Sequence, residues 1–285
     1  MPPESSPGFW QKRIERAQHL SSGYPFAGEI LQFYVRILGF QKDLYARIES
    51  ACGNGRTARH SGSLRNELDL ILLLPSFRPF LNLMEQHAPV ALATTARNLS
   101  AQDTEAFAKL LTDWWAQPLG GTDAAGETPV DSSAENECMG FCAHAFLQPY
   151  AEYLAKRTEP PIIEITPRVC PLCGSRPLLG VLRPEGDGGK RFLQCSFCMQ
   201  EWEFRRILCP ACGEEAESKL PVYIAEQFPH MRVEACDTCK FYLRTVDLTK
   251  DGHAVPPVDD IAAIPLTLWA EENGYRRIQG NLLGT

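Results

Sequence analysis

Apolar residues recur every third or fourth position through most of the first 157 residues, which predicts a helical N-terminal half. From Phe26 to Ser50, Ile30, Leu31, Phe33, Tyr34, Ile37, Leu38, Leu44 and Tyr45 follow one helical stripe. A second helix is expected near Leu64–Leu74, stopped by Pro75, and a third from about Pro79 to Leu99, interrupted at Pro89. Ser100 or Asp103 offers an N-cap for a fourth helix, which carries Phe107, Leu110, Leu111, Trp114 and Trp115. The stretch Gln117–Ser132 is rich in Gly, Pro, Thr and Asp and reads as a loop. A fifth helix, about Ala134–Lys156, carries Phe141, Phe146, Leu147, Tyr150 and Leu154, with Pro149 expected to kink it.

The pattern changes after Thr158. Thr158–Val169, with Pro160, Pro161 and Pro167, reads as an extended connector. Beyond it, strands are expected at Lys190–Gln194, Glu201–Ile207, Met231–Ala235 and Phe241–Val246. A last short helix is expected over Asp259–Asn273, with Pro265 inside it and Gly274 as its C-terminal stop.

These strands flank four C-x-x-C pairs: Cys170/Cys173, Cys195/Cys198, Cys209/Cys212 and Cys236/Cys239. Eight thiols in four pairs suffice for two tetrahedral tetrathiolate sites. Gly174 and Gly213, directly after two of the pairs, can take positive φ and turn backbone N–H groups toward sulfur. The pairs also form a repeat, with 21 residues between the first two and 23 between the last two. Near-equal units point to a duplicated zinc-ribbon or rubredoxin-like module. The expected site 1 is Cys170, Cys173, Cys195 and Cys198; site 2 is Cys209, Cys212, Cys236 and Cys239. A cross-brace pairing is the competitor, disfavoured because ten residues separate Cys198 from Cys209. Four tandem pairs favour metal knuckles over a dithiol redox motif. A disulfide framework needs an oxidising compartment, and Met1–Trp10 does not read as a secretory signal.

The remaining thiols are less informative. Cys138 and Cys142, four apart on the fifth helix, are expected to be core thiols, and His144 projects to another side. Cys52, beside Gly53 and Gly55, reads as a loop residue. None of the six histidines has ligand or triad spacing, and no P-loop or dinucleotide fingerprint occurs.

The expected architecture is therefore multi-domain α+β. An α-helical domain spans 1–160, the two tandem rubredoxin-like/zinc-ribbon modules span 165–208 and 209–250, and 255–285 form a short C-terminal helix and tail. The longest aliphatic run, Leu70–Leu74, ends at Pro75, so no membrane insertion is expected and the chain should be soluble and cytoplasmic. Two mononuclear tetrathiolate ions, iron or zinc, are expected per chain. As zinc they would take the formal charge from −7 to −11. An acidic chain is poorly suited to a phosphate backbone, which argues against nucleic acid and for a protein partner.

The cysteine region and its flanks resemble the formate dehydrogenase accessory protein family (FdhE-like). The residues that carry the resemblance are Cys195-Ser-Phe-Cys198, Glu201-Trp202, Arg206, Cys209-x-x-Cys212-Gly213, Glu234-Ala-Cys236-x-x-Cys239 and Tyr242-Leu243. The tail matches at Val258-Asp259-Asp260-Ile-Ala, and the helical half at Tyr34-x-x-Ile37-Leu38 and Leu147-Gln148-Pro149-Tyr150. The resemblance implies a helical domain followed by two rubredoxin-like modules. It also implies a non-enzymatic accessory factor that acts on the formate dehydrogenase catalytic subunit in the cytoplasm. Trp202, Tyr242, Asp259 and Asp260 are candidate partner contacts; the aromatics equally suit the module cores, and the aspartates suit a helix cap. Two other readings stand beside this one: an electron-transfer protein with iron tetrathiolate sites, and a zinc-ribbon nucleic-acid factor. The latter is disfavoured because the module cations Arg191, Arg205, Arg206, Arg232, Lys240 and Arg244 are matched by Glu201, Glu203, Glu214, Glu215, Glu217 and Glu234.

Overall fold

The computed structural model describes residues 6–53, 62–117, 133–161, 166–186 and 188–285. Most of the 117–132 stretch, and parts of the 158–169 connector and of the 184–189 turn, lie outside those residues.

Among the described residues, the N-terminal half contains six α-helices: α1 Ser6–Gly23, α2 Gly28–Cys52, α3 Leu70–His87, α4 Val90–Ser100, α5 Thr104–Ala116 and α6 Ala134–Ala155. The expected N-cap of the fourth predicted helix is real: the Asp103 side chain accepts from Ala106 N–H at the start of α5. Asp69 and Ser133 cap α3 and α6 in the same way.

Proline behaves differently from expectation. Pro75 does not stop a helix; α3 runs through both Pro75 and Pro79, and Leu64–Asn66 is only a short 3-10 turn. The two prolines are four apart and both exposed, so the carbonyls they leave without a helical partner lie toward water. Pro149 lies inside α6, where everything from Cys142 is buried except His144. A proline there leaves the Ala145 carbonyl without its usual N–H donor. The buried Gln41 of α2 supplies one instead: its Nε2 donates to Ala145 O at 2.7 Å and to Gln148 Oε1 at 3.1 Å. The helix continues past the proline because a side chain from another element restores the bond. Cys52 is the last residue of α2 rather than a loop residue.

The C-terminal half is one sheet. Its strands are β1 Pro177–Glu185, β2 Gly188–Cys195, β3 Glu201–Glu203, β4 Val222–Ile224, β5 Met231–Ala235, β6 Phe241–Asp247 and β7 Arg276–Arg277. The order is β3-β2-β1-β6-β5-β4, with β7 on the outside of the path against β6. Each cysteine unit contributes an antiparallel three-stranded meander, β1-β2-β3 or β4-β5-β6, and the meanders join where β1 runs parallel to β6. At that seam Gly180 faces Thr245, and a Cβ on residue 180 would lie 2.3 Å from Thr245 Oγ1. Glycine is required there by close approach.

The expected last helix is two: α7 Pro256–Ala262 and α8 Ile264–Glu272, broken at Ala263 with Pro265 in the first turn of α8. Gly274 does follow α8 in the left-handed region, at φ +78°. One continuous apolar core runs from α1 (Trp10, Ala17) through α2, α3 and α6 to Leu193, Phe197, Leu243 and Ile278 of the C-terminal half. The helical half and the sheet are therefore packed as one body.

Candidate metal centres

The four C-x-x-C segments fold alike. In each, the N–H of the first cysteine donates to the carbonyl five residues later: Cys170 to Ser175 (2.8 Å), and Cys195 to Gln200, Cys209 to Glu214 and Cys236 to Phe241 (each 2.9 Å). In each, the residue after the second cysteine has positive φ: Gly174 at 73°, Met199 at 56°, Gly213 at 84° and Lys240 at 59°. Two of these positions thus hold non-glycine residues in the left-handed region. The glycine N–H groups do not go to sulfur as expected; Gly174 and Gly213 donate to the carbonyls of Cys170 and Cys209, both at 2.9 Å. Sulfur is served by the residues inside the turn. Phe197 N–H donates to Cys195 Sγ at 3.4 Å, and the backbones of Ala211 and Cys212 hydrogen-bond to Cys209.

Each unit brings its two turns together the same way, first cysteine against last and second against third. Sγ···Sγ distances are 3.5 Å for Cys170–Cys198 and 3.4 Å for Cys173–Cys195. They are 3.8 Å for Cys209–Cys239 and 3.7 Å for Cys212–Cys236. Within each group of four, all sulfurs lie within 4.8 Å of one another. A tetrahedron with metal–sulfur bonds of about 2.3 Å has edges of about 3.8 Å, so both groups fit a mononuclear ion. They do not fit disulfides, whose sulfurs would be about 2.05 Å apart. Electrostatics agrees. In the first group burial, then the neighbouring thiols Cys170 and Cys173, push Cys195 and Cys198 well above the usual thiol range. Left as thiols these two keep their protons; as four thiolates the group needs a positive charge among them. When bound, a thiophilic ion such as zinc or iron would supply that charge, and the four sulfurs would close its coordination sphere.

Two family models match this half of the chain: "FdhE, central domain" over residues 169–206 and "FdhE, C-terminal domain" over residues 207–283. The chain is FdhE-like. The first model covers site 1 and its meander, and the second covers site 2, its meander and the C-terminal helices. Relatives extend the match to the helical half. A "Protein FdhE homolog" of Aquifex aeolicus (strain VF5) is 25% identical over 284 residues, covering 95% of this chain and 94% of that protein. A "Protein FdhE homolog" of Pseudomonas aeruginosa is 34% identical over 152 residues, half of this chain and 48% of the relative. In fold, the crystal structure of the FdhE protein from Pseudomonas aeruginosa superposes with a TM-score of 0.66 at 23% identity, covering 98% of this chain and 96% of that one.

The two candidate centres differ in their surroundings. All four cysteines of site 1 are at most 2% exposed. Arg65, from the short turn before α3, reaches over the site. Its guanidinium donates to Cys173 O (3.2 Å), Ser175 Oγ (2.8 Å) and Trp115 O (2.7 Å), and lies 4.5 Å from the Phe197 ring centroid. Trp115 Nε1 returns a bond to Arg65 O at 2.8 Å, and Leu64 N–H donates to Leu172 O at 3.0 Å. Burial pulls the Arg65 pKa down while the sulfurs of Cys173, Cys195 and Cys198 oppose the shift. Arg65 was not visible as a site residue in the sequence; one arginine in an ordinary turn carries no signal. Site 2 is open. Cys209 and Cys236 are buried, but Cys212 is exposed and Cys239 half-buried.

The four candidate partner contacts are all buried. Trp202 donates from Nε1 to Pro167 O at 2.9 Å, and Tyr242 of β6 lies in the buried cluster with Met231, Val233 and Leu266. Asp259 accepts from Arg16 Nε (3.0 Å), His230 Nε2 (2.9 Å) and Val255 N–H (2.7 Å); it lies inside α7, whose N-cap is Val255, and so is not the N-cap expected of it. Asp260 pairs with Arg244 (2.8 Å) and Arg277 (2.7 Å) and accepts from Asn281 (2.8 Å). Although burial pushes Asp260 up, Arg244 and Arg277 hold its carboxyl below the usual range. A partner could reach these side chains only after the packing around them opens. Of the remaining thiols, Cys142 is a core residue whose pKa burial pushes up to about 12, and Cys138 is half-buried.

Proposed function

We propose that this chain is a formate dehydrogenase accessory factor that binds the catalytic subunit in the cytoplasm and is not itself an enzyme. The observation that carries the reading is the pair of four-cysteine groups in the residues that match the FdhE central and C-terminal domains. A centre with four protein sulfurs has no open coordination position for a substrate, unlike a catalytic zinc site with three protein ligands. Its chemistry is to fix backbone geometry. No helix among the described residues is long and apolar enough to cross a membrane. Deleting the gene should leave the formate dehydrogenase polypeptide present but largely inactive, and the tagged chain should retain the catalytic subunit in pull-downs from anaerobic extracts. Unchanged formate dehydrogenase activity in the deletion strain would sink the proposal.

One observation favours a second reading. Cys212, a ligand position of site 2, is open to solvent, as electron exchange with a partner would require. If the chain carries electrons, protein purified without air should show the colour of ferric tetrathiolate. The colour should bleach and return in step with formate turnover. Colourless zinc centres would remove this reading.

A further inference from the structure

The two centres have the same ligands, the same turns and the same sulfur pairing, yet they are held in unlike ways. We propose that site 2 is an exchangeable metal site, opened at Cys212, and that emptying it releases residues 207–221 while site 1 and the sheet stay closed. The proposal rests on the reading that both four-cysteine groups hold metal.

Access is the first argument. A competing ligand must reach the ion or one of its sulfurs. At site 1 every sulfur is buried, and Arg65, Trp114 and Trp115 pack over it from the helical half, around Phe197 of its own turn. Reaching it requires lifting that half away, against the Arg65 bonds to Cys173 and Ser175 and the Leu64–Leu172 backbone bond. At site 2 the Cys212 side chain already faces solvent, and between residues 205 and 221 Cys209 alone is buried.

Attachment is the second argument. One half of site 2, the Cys236/Cys239 turn, is the connection between β5 and β6 and is fixed by the sheet. The other half, the Cys209/Cys212 turn, belongs to no strand. Between Ile207 and Pro221 its polar ties to the rest of the chain are mostly peripheral. Arg168 donates to Ala211 O (2.9 Å), Thr238 Oγ1 to Glu214 Oε2 (2.7 Å) and Asp237 N–H to Lys219 O (2.9 Å). Arg191 reaches Leu208 O at 3.3 Å at the near end of the segment, Ala235 N–H donates to Pro221 O at 3.0 Å at its far end, and an exposed pair joins Glu215 of the segment to Arg205 just before it. Contacts of this kind contribute little each, and of the segment's side chains only the half-buried Leu208 and Ala211 pack against the main core. The ion would be the principal link between the two halves, so losing it should open this segment locally rather than unfold the chain. Site 1 has the opposite construction. Cys170, Cys173, Cys195 and Cys198 are members of the main core, so its turns are held by packing as well as by metal.

The exchange involves no redox step. The bond from the ion to the Cys212 sulfur breaks, a bond to the incoming chelator forms, and the remaining three sulfurs are displaced in turn. The freed thiolates take protons from water or bind a competing thiophilic ion.

The test uses the full chain loaded with two zinc ions, mixed with a chromophoric chelator. Metal release should be biphasic, with one equivalent leaving at least about tenfold faster than the other, as expected when one site opens locally and the other only with the core. Alkylation with N-ethylmaleimide during the fast phase should label Cys212 and Cys239 before any of Cys170, Cys173, Cys195 and Cys198. Hydrogen exchange followed by mass spectrometry should show lost protection across 207–221, and none across 170–198. Arg65→Ala should accelerate the slow phase and leave the fast one unchanged; Arg65→Gln serves where the alanine variant is too unstable. Release of both ions in one phase, first labelling at Cys170 or Cys173, or equal deprotection of both segments would overturn the proposal while leaving the metal reading intact. A chain that binds no metal would overturn both.

Discussion

Gly180 and His144 show how single residues hold the metal modules to each other and to the helices. At the seam between β1 and β6, a methyl group on residue 180 would meet the β-branched Thr245, whose Oγ1, Cβ and Cγ2 all lie within 3.2 Å of the added atom. Thr245 is buried and cannot swing away. Gly180→Ala should therefore cost roughly 1–3 kcal/mol, as overpacking does, read from the urea midpoint. A change below about 0.5 kcal/mol would mean that the seam is looser than described. His144 stacks on Trp114 and meets Phe197 edge-on, against site 1. Burial pulls its pKa down to about 4, against the hydrogen bond to the Ser196 backbone. The unfolded chain, with an ordinary histidine near about 6.5, binds the proton first. The stability His144 allows at pH 7 is thus lost as pH falls from about 6.5 to 4, by up to roughly 3 kcal/mol. His144→Phe should remove that part of the acid sensitivity; identical pH profiles for the two proteins would contradict it.

At the scale of elements, the prediction concerns which cysteine substitution spreads. Read from sequence, each module should fail alone and leave the helical domain folded. The structure divides the two cases, because site 1 lies in the core shared with α2, α3 and α6 and site 2 does not. Cys170→Ser should lower helix content and the melting temperature together, whereas Cys236→Ser should leave the helical signal by circular dichroism largely intact. Equal losses from both would count against this division. The elements also show what the sequence could reveal. The cysteine pairs were legible because a two-residue spacer and a repeat are local facts. Asp103 was legible as a cap for the same reason. The β1 strand was missed because Pro177–Leu182 is buried on both faces and shows no alternation. The α1 helix was missed because charged residues interrupt its apolar stripe, and Arg13 and Arg16 find their partners Glu152 and Asp259 more than a hundred residues away. Pro75 misled because a proline's effect depends on whether its freed carbonyl meets water, which spacing alone does not state.

For the whole molecule, the C-terminal helices act as a lock between the sheet and the helical half. Arg16 of α1 bonds Asp259 of α7, while Asp260 neutralises the buried Arg244 of β6 and Arg277 of β7. Asp260→Asn would leave two guanidiniums under the helices without the carboxylate they share, and should cost about 3–5 kcal/mol. A loss under about 1 kcal/mol, measured by urea unfolding, would show that water or another group compensates them. The aspartates that looked like partner contacts in sequence thus have a sufficient role inside the chain, visible only once residues 244, 260 and 277 are brought together. Two separate four-cysteine groups, each placed to hold one metal ion, are the centre of this architecture. X-ray absorption of protein purified without air, with metal counted per chain, tests this directly. The expected result is two ions per chain, each with four sulfur neighbours at about 2.3 Å and no nitrogen or oxygen neighbour. One ion per chain, or a first shell containing nitrogen or oxygen, would contradict it.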